Sequence, residues 1–107
     1  MSQIGTWHRA AALNDISEDD PLEVEIGSNK IALYRLGEEV FATGNVCTHA
    51  YALLSDGLLD GYEIECPLHN GRFDIRTGKA LSSPVEVDIP TYPVRIVAGQ
   101  VEVCLPP

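Results

Sequence analysis

The stretch CTHAYALLSDGLLDGYEIECPLH, residues 47–69 of a 107-residue chain, holds two of the three cysteines and two of the three histidines. They fall as Cys-x-His, sixteen intervening residues, then Cys-x-x-His. Ligands two or three residues apart in a turn reach a common metal centre without stretching the backbone. Cys47 and His49 therefore form one candidate ligand loop, and Cys66 and His69 a second. Pro67 fixes its own φ and removes an N–H donor, so the second loop begins with restricted geometry.

Zinc accepts two thiolates and two imidazoles in a tetrahedral site, and a zinc-stabilised binding module is one reading of the four residues. The usual zinc pattern places both cysteines in one segment and both histidines in another. Here each loop supplies one thiolate and one imidazole. That arrangement suits two bridged metals, one side of the centre held by thiolates and the other by imidazoles.

Around this stretch the chain reads as one all-β domain, residues 1–107. Short segments rich in Val, Ile and Tyr recur every eight to twelve residues between Gly, Pro, Asn and Asp. They predict strands at residues 6–11, 22–26, 30–36, 40–43, 63–66, 71–74, 86–90, 94–97 and 101–105. Two hairpins are predicted, one turning around Gly37 and one at Ala98-Gly99. Nowhere is there a sustained helical repeat. Residues 45–84 carry both ligand pairs and many turn formers, and read as loops and short strands inserted into an antiparallel framework.

Sixteen acidic against seven basic side chains give a formal charge of −9, which excludes nucleic acid and an anionic membrane surface as partners. No apolar run approaches the roughly 18 to 20 residues of a membrane span, and MSQIGTWHRA lacks the layout of a signal peptide. The expectation is a cytoplasmic monomer. An odd number of cysteines argues against a disulfide framework and for metal or catalytic use. Cys104, in VEVCL, reads as a small apolar strand residue, and His8 beside Trp7 as part of a strand edge.

Cys47-Thr48-His49 and Cys66-Pro67-Leu68-His69 resemble the two cluster-binding loops of Rieske [2Fe-2S] proteins. The resemblance extends through Asn70-Gly71-Arg72-Phe73-Asp74 to Ser83-Pro84, which is similar to that family's third, proline-containing loop. It implies a Rieske fold, a β-sandwich-like framework with an inserted cluster-binding subdomain over about residues 45–84. It also implies one [2Fe-2S] cluster, with Cys47 and Cys66 on the inner iron and His49 and His69 on the outer iron.

The differences from the family's respiratory and photosynthetic members narrow the subclass. Those proteins carry a disulfide between the ligand loops, at positions that are Ala52 and Leu68 here. They also direct serine and tyrosine hydroxyls at the cluster, where this chain has Gly71 and Phe73. Losing two donors implies a potential at the low end of the Rieske range, about −150 mV. A positive φ at Gly71 is the expected obstacle to a side chain there.

An oxygenase would need a mononuclear iron site of two histidines and a carboxylate, and only His8 remains unassigned. A nicotinamide-binding Gly-rich fingerprint is also missing. Asp56-Gly57, Asp60-Gly61 and IECPLHNGRFDIRTGKA are similar to the ferredoxin components of multicomponent aromatic-ring dioxygenases. The implied role is a non-enzymatic one-electron carrier between a ferredoxin reductase and a terminal oxygenase. The alternative is a Rieske-like subunit of another cytoplasmic redox enzyme, such as a nitrite reductase. Leu68, Ala50, Tyr51 and Pro84 are the expected apolar collar of the site, with Tyr51 and Leu68 as partner contacts.

Overall fold

The computed structural model describes residues 5–48, 51–68 and 70–106. Ten strands follow in order: β1 (Thr6–Ala12), β2 (Leu22–Ile26), β3 (Asn29–Leu36), β4 (Glu39–Gly44), β5 (Leu58–Asp60), β6 (Glu63–Glu65), β7 (Arg72–Asp74), β8 (Thr91–Tyr92), β9 (Val94–Val97) and β10 (Gln100–Leu105). All pairings between them are antiparallel, in sheets ordered β1-β10-β9, β2-β3-β4-β8 and β5-β6-β7. The chain is all-β, as its residue pattern predicts. Among the described residues no helix is long and apolar enough to cross a membrane.

Strand β3 is the wall that the two cores share. Ile31 and Leu33 project into one core with Val101, Val103 and Leu105 of β10, while Ala32 and Tyr34 project into the other with Cys47, Cys66, Ile64 and Phe73. Successive strand residues point to opposite faces, so a run of four apolar side chains is what a strand covered on both sides requires. Strand β10 is one-sided instead: Val101, Val103 and Leu105 are buried and alternate with half-buried Glu102 and Cys104.

The second core contains a polar pair. The Tyr34 and Thr43 hydroxyls lie 2.9 Å apart, and Thr43 Oγ1 also donates to the Gly44 carbonyl at 2.8 Å. Burial pushes the Tyr34 phenol well above its ordinary pKa, and the Thr43 hydrogen bond only partly opposes this. Left unmade in the core, such a bond would cost about 1–3 kcal/mol.

Four hairpins have two-residue turns. Gly27, Gly37 and Gly61 take the first turn position with φ of 61°, 63° and 60°. The fourth joins β9 to β10 through Ala98 and Gly99, both left-handed at 52° and 77°, the geometry of a type I′ turn. The predicted turns at Gly37 and Ala98-Gly99 therefore form. In β1, Ala10 is an extra residue between the Arg9–Glu102 and Ala11–Val101 pairs, and this bulge turns Ala11 into the core.

One predicted strand does not form. Residues 86–90 follow an apolar–polar alternation but make no ladder. Apart from the Pro90 carbonyl, which accepts the N–H of Gly44 at the end of β4, their hydrogen bonds go to loop partners, and Pro90 has no N–H to donate. Two strands escaped the pattern because they are too short to show a period: β5, inside the stretch read as loops and short strands, and β8. Yet β8 decides the layout. It pairs with β4 through Ala42–Tyr92 and Thr43–Thr91, so the chain leaves the four-stranded sheet after Gly44 and re-enters beside its exit. The sheet β5-β6-β7 lies within that excursion.

Candidate metal centre

Strand β4 is followed directly by Asn45, a fully buried amide that fixes the first cysteine loop. Its Nδ2 donates to Glu23 Oε2 at 2.9 Å and Ser55 Oγ at 3.0 Å, and its Oδ1 accepts the Ser55 N–H at 2.8 Å. Its backbone donates to the Lys30 carbonyl and accepts from the Leu54 N–H. Beyond a Val46–Leu53 bridge, the Cys47 N–H donates to the Ala52 carbonyl at 2.9 Å and closes a six-residue loop. Cys47 is 4% exposed.

Strand β6 delivers Cys66, which is fully buried, into a loop of the same length. The Cys66 N–H donates to the Gly71 carbonyl at 2.7 Å, and the Asn70 N–H donates back to the Cys66 carbonyl at 3.0 Å. The left-handed residue here is Asn70, at φ 62°, whose short polar side chain tolerates that region. Gly71 is not left-handed, contrary to the sequence expectation. What restricts it is contact: a Cβ at 71 would lie 2.7 Å from Val85 Cγ1 and 3.0 Å from Cγ2. Phe73, two residues on, is wholly buried.

A third segment packs against both loops. It is closed by the Ile89 N–H donating to the Gly78 carbonyl at 2.8 Å, and it contains the cis Ser83–Pro84 peptide. Ser82 Oγ accepts the Arg72 N–H at 3.1 Å, Val85 covers Gly71, and Thr48 Oγ1 donates to the Val87 carbonyl at 2.7 Å. Thr48, inside the first Cys-x-His, thus ties the first loop to the segment that covers the second.

The fold brings Cys47 and Cys66 into one core with Leu54, Ile64, Phe73, Ile75, Val85 and Ile89. The other two predicted ligands, His49 and His69, lie outside the described residues, as does Ala50. Of the expected collar, Tyr51 is 71% exposed and Leu68 55%, while Pro84 is half-buried. Cys104 sits on β10 opposite Trp7, and His8 on β1 opposite Val103, each in the framework position its strand pattern implies. Sequence reasoning missed Asn45, Thr48, Val85 and Val87. For Asn45 the one available signal was a polar amide between an apolar strand and the first ligand; the others carry none.

Charges on the small sheet are largely paired. Arg72 reaches Glu65 at 2.9 Å, Glu63 at 3.3 Å and Asp60 at 3.6 Å, and its pKa is raised first by the Glu63 hydrogen bond. Arg76 holds Asp74 at 3.0 Å and keeps that carboxyl below its ordinary pKa. Its guanidinium also lies 4.1 Å from the centroid of the Tyr62 ring, whose hydroxyl donates to Glu39 at 3.0 Å. This cluster joins the small sheet to the start of β4.

Two buried cysteines, each opening a loop closed by its own N–H, suit soft thiolate-binding metals shielded from water. Comparison with known proteins gives the same answer. The family model for the Rieske [2Fe-2S] domain matches residues 6–93. The ferredoxin component of the naphthalene 1,2-dioxygenase system of Pseudomonas putida is 56% identical over 90 residues, 84% of this chain and 86% of that one. The ferredoxin of Sphingomonas yanoikuyae B1 superposes with a TM-score of 0.90 at 40% identity, covering 94% of this chain and all of that one. The ferredoxin in a solved complex of reduced oxygenase and oxidised ferredoxin of carbazole 1,9a-dioxygenase gives 0.85 at 38% identity, covering 91% of this chain and 100% of that one. With 88 of its residues, 6 through 93, inside the family match, this chain carries one [2Fe-2S] cluster and belongs to the Rieske [2Fe-2S] domain family.

Proposed function

We propose that this chain is the one-electron carrier of a multicomponent aromatic-ring dioxygenase, taking electrons from a ferredoxin reductase and delivering them to a terminal oxygenase. The observation that carries the reading is the 56% identity with a naphthalene dioxygenase ferredoxin, sustained over 84% of this chain. The chain is an electron-transfer component rather than an enzyme. The aromatic substrate binds the oxygenase. A cytoplasmic monomer fits this role.

In this reading residues 45–84 form the cluster-binding subdomain. Cys47 and Cys66 hold the inner iron, and His49 and His69 the outer. The bound group supplies reversible storage of one electron. The chain's own residues bury the thiols, close both loops through backbone hydrogen bonds and present Tyr51 and Leu68 to a partner. One cluster has one tip, so reductase and oxygenase dock there in turn. The Leu68→Asp variant, with unchanged cluster spectrum and potential, is expected to slow transfer with both partners. Unchanged rates would reject the shared tip.

Reconstitution tests the function. Reductase and oxygenase of the P. putida naphthalene system, with reduced nicotinamide and naphthalene, are expected to turn over only when this protein is added. Absence of turnover, or electron delivery to a nitrite reductase instead, overturns the proposed partners. For the ligands, Mössbauer spectra are expected to show two inequivalent irons, with iron and acid-labile sulfide in place of zinc. A normal cluster in the Cys47→Ser/His69→Ala double variant would reject the ligand set. Cys104→Ser is the control and is expected to leave the cluster intact.

A further inference from the structure

Residues 85–89, Val-Glu-Val-Asp-Ile, alternate apolar and acidic side chains in the pattern of a half-buried strand. The chain does not fold that way. Val85 and Ile89 are buried in the core that holds the two cysteines, but Val87 between them is 64% exposed, with exposed Glu86 and Asp88 on either side. Three hydrogen bonds hold the stretch in place. The Val87 carbonyl accepts from Thr48 Oγ1 at 2.7 Å, Asp88 Oδ1 accepts the Ala80 N–H at 2.9 Å, and the Ile89 N–H donates to Gly78 at 2.8 Å. Glu86 makes no hydrogen bond or ion pair with a described residue.

An apolar side chain held on a fixed backbone loses little conformational freedom when a partner covers it. Folding gives no return for exposing Val87, since a smaller or polar residue would serve a solvated loop. Thr48 places it beside the first cysteine loop, where Tyr51 is also exposed. The three segments around the site therefore offer exposed apolar side chains: Tyr51, Leu68 and, on the third, Leu81 and the more exposed Val87. Only Val87 stands between two carboxylates. A surface that receives it must pair an apolar recess with positive charge.

We propose that Glu86-Val87-Asp88 is a recognition knob of the docking tip and that its occupant is the terminal oxygenase, the partner with which the similar carbazole 1,9a-dioxygenase ferredoxin forms a solved complex, in an apolar recess edged by Arg or Lys side chains. The inference rests on the tip-docking role proposed above and adds the chemistry of the partner's surface. Burying the valine supplies affinity. The two carboxylates supply steering and register, as charges at an interface rim do.

The test uses cluster-loaded protein with the naphthalene oxygenase and, in parallel, the reductase of the reconstitution assay, measuring the affinity of each for the protein and the rate of single-electron transfer with each at several salt concentrations. Cluster spectrum and melting temperature confirm each variant's integrity. Val87→Ser is expected to weaken oxygenase binding about fivefold to tenfold, the loss of one buried valine contact. Glu86→Lys is expected to slow association and to flatten or reverse its decline with salt. Leu68→Asp is the comparator. If it weakens binding while Val87→Ser and Glu86→Lys stay within twofold of the parent, the knob is wrong and the tip stands. If none of the three has an effect, the tip-docking reading itself fails. A loss confined to the reductase would overturn the oxygenase as occupant.

Discussion

The two cysteine loops close with the same hydrogen bond and are held by opposite means. In each, a cysteine N–H reaches a carbonyl five residues on, Ala52 for Cys47 and Gly71 for Cys66. Polar contacts anchor the first loop: Asn45 binds Glu23 and Ser55, and Thr48 binds the Val87 carbonyl. Shape anchors the second: Pro67 at its start, Val85 against Gly71, and Phe73 beneath. Equal loop length thus hides different vulnerabilities. The first loop should suffer most from a lost partner, the second from an added atom.

Asn45→Leu is the strongest way to break the comparison. It strands the partly buried Ser55 N–H, where an unsatisfied group costs about 1–3 kcal/mol, breaks the bonds to Ser55 Oγ and to the exposed Glu23 carboxylate, and puts a branched apolar side chain in a fully buried amide's place. A loss of about 3 kcal/mol or more is expected in denaturant unfolding, together with lower iron and sulfide content. A near-neutral result would mean that the first loop does not depend on its polar hub.

For the second loop the matching experiment adds a methyl group. Gly71→Ala is expected to cost about 1–3 kcal/mol through overpacking against Val85, and Val85→Ala is expected to restore part of it. Simple additivity of the two changes would show that Gly71 is not constrained by contact. The same clash governs any attempt to install hydroxyl donors. Gly71→Ser with Phe73→Tyr is expected to raise the potential by on the order of 100 mV, from bonds of about 1.5–3 kcal/mol to a charged acceptor. It needs Val85→Ala to make room. Voltammetry showing no rise in the folded triple variant would remove residues 71 and 73 as the cause of a low potential.

Much of this was readable before any coordinates. The cysteine–histidine spacing marks the loops because ligand geometry is local. The all-β class and the turns at Gly37 and Ala98-Gly99 follow from period-two alternation and turn chemistry, which are also local. What could not be read is set by contacts distant in sequence. Strand β8 exists because two residues meet β4 across an excursion of more than forty residues. Residues 86–90 look like a strand and are not one, because residues 87–89 bond to Thr48, Gly78 and Ala80 and only the Pro90 carbonyl reaches a strand, at Gly44 of β4. Val85 opposite Gly71 is a steric pair fourteen residues apart with no signature in either residue.

The small sheet that carries the second loop should also respond to acid. Arg76 holds Asp74 with its folded pKa below the unfolded value of 3.8, so this pair stabilises the fold above that pH and the contribution is lost as pH falls through the lower, folded value. Asp74→Asn is expected to cost no more than about 1 kcal/mol at neutral pH, as for other partly exposed ion pairs, and to flatten the decline below pH 4. An unchanged acid limb in the variant would place the acid sensitivity elsewhere. Because Arg76 also covers Tyr62, the variant should loosen the join between the small sheet and β4 more than it disturbs either cysteine.

The smallest expected effect is a gain, and it lies where neither loop reaches. The other two-residue hairpins put glycine at the first turn position, whereas β9 and β10 are joined by Ala98 at φ 52°. Alanine in the left-handed region carries a steric cost that asparagine tolerates better and glycine avoids. Ala98→Asn is therefore expected to stabilise the protein by about half a kcal/mol, as for other turn residues fitted to their backbone. The turn has open space beside it, since a Cβ on neighbouring Gly99 would meet nothing within 4 Å, and the new amide has room. Strand β10 packs into the core on the side of β3 away from the cysteines. Cluster content and electron-transfer rates should stay at parent values while the melting temperature rises. If stability rises and the cluster also changes, the two cores communicate through β3, and the two loops cannot be treated as supported only by their own neighbours.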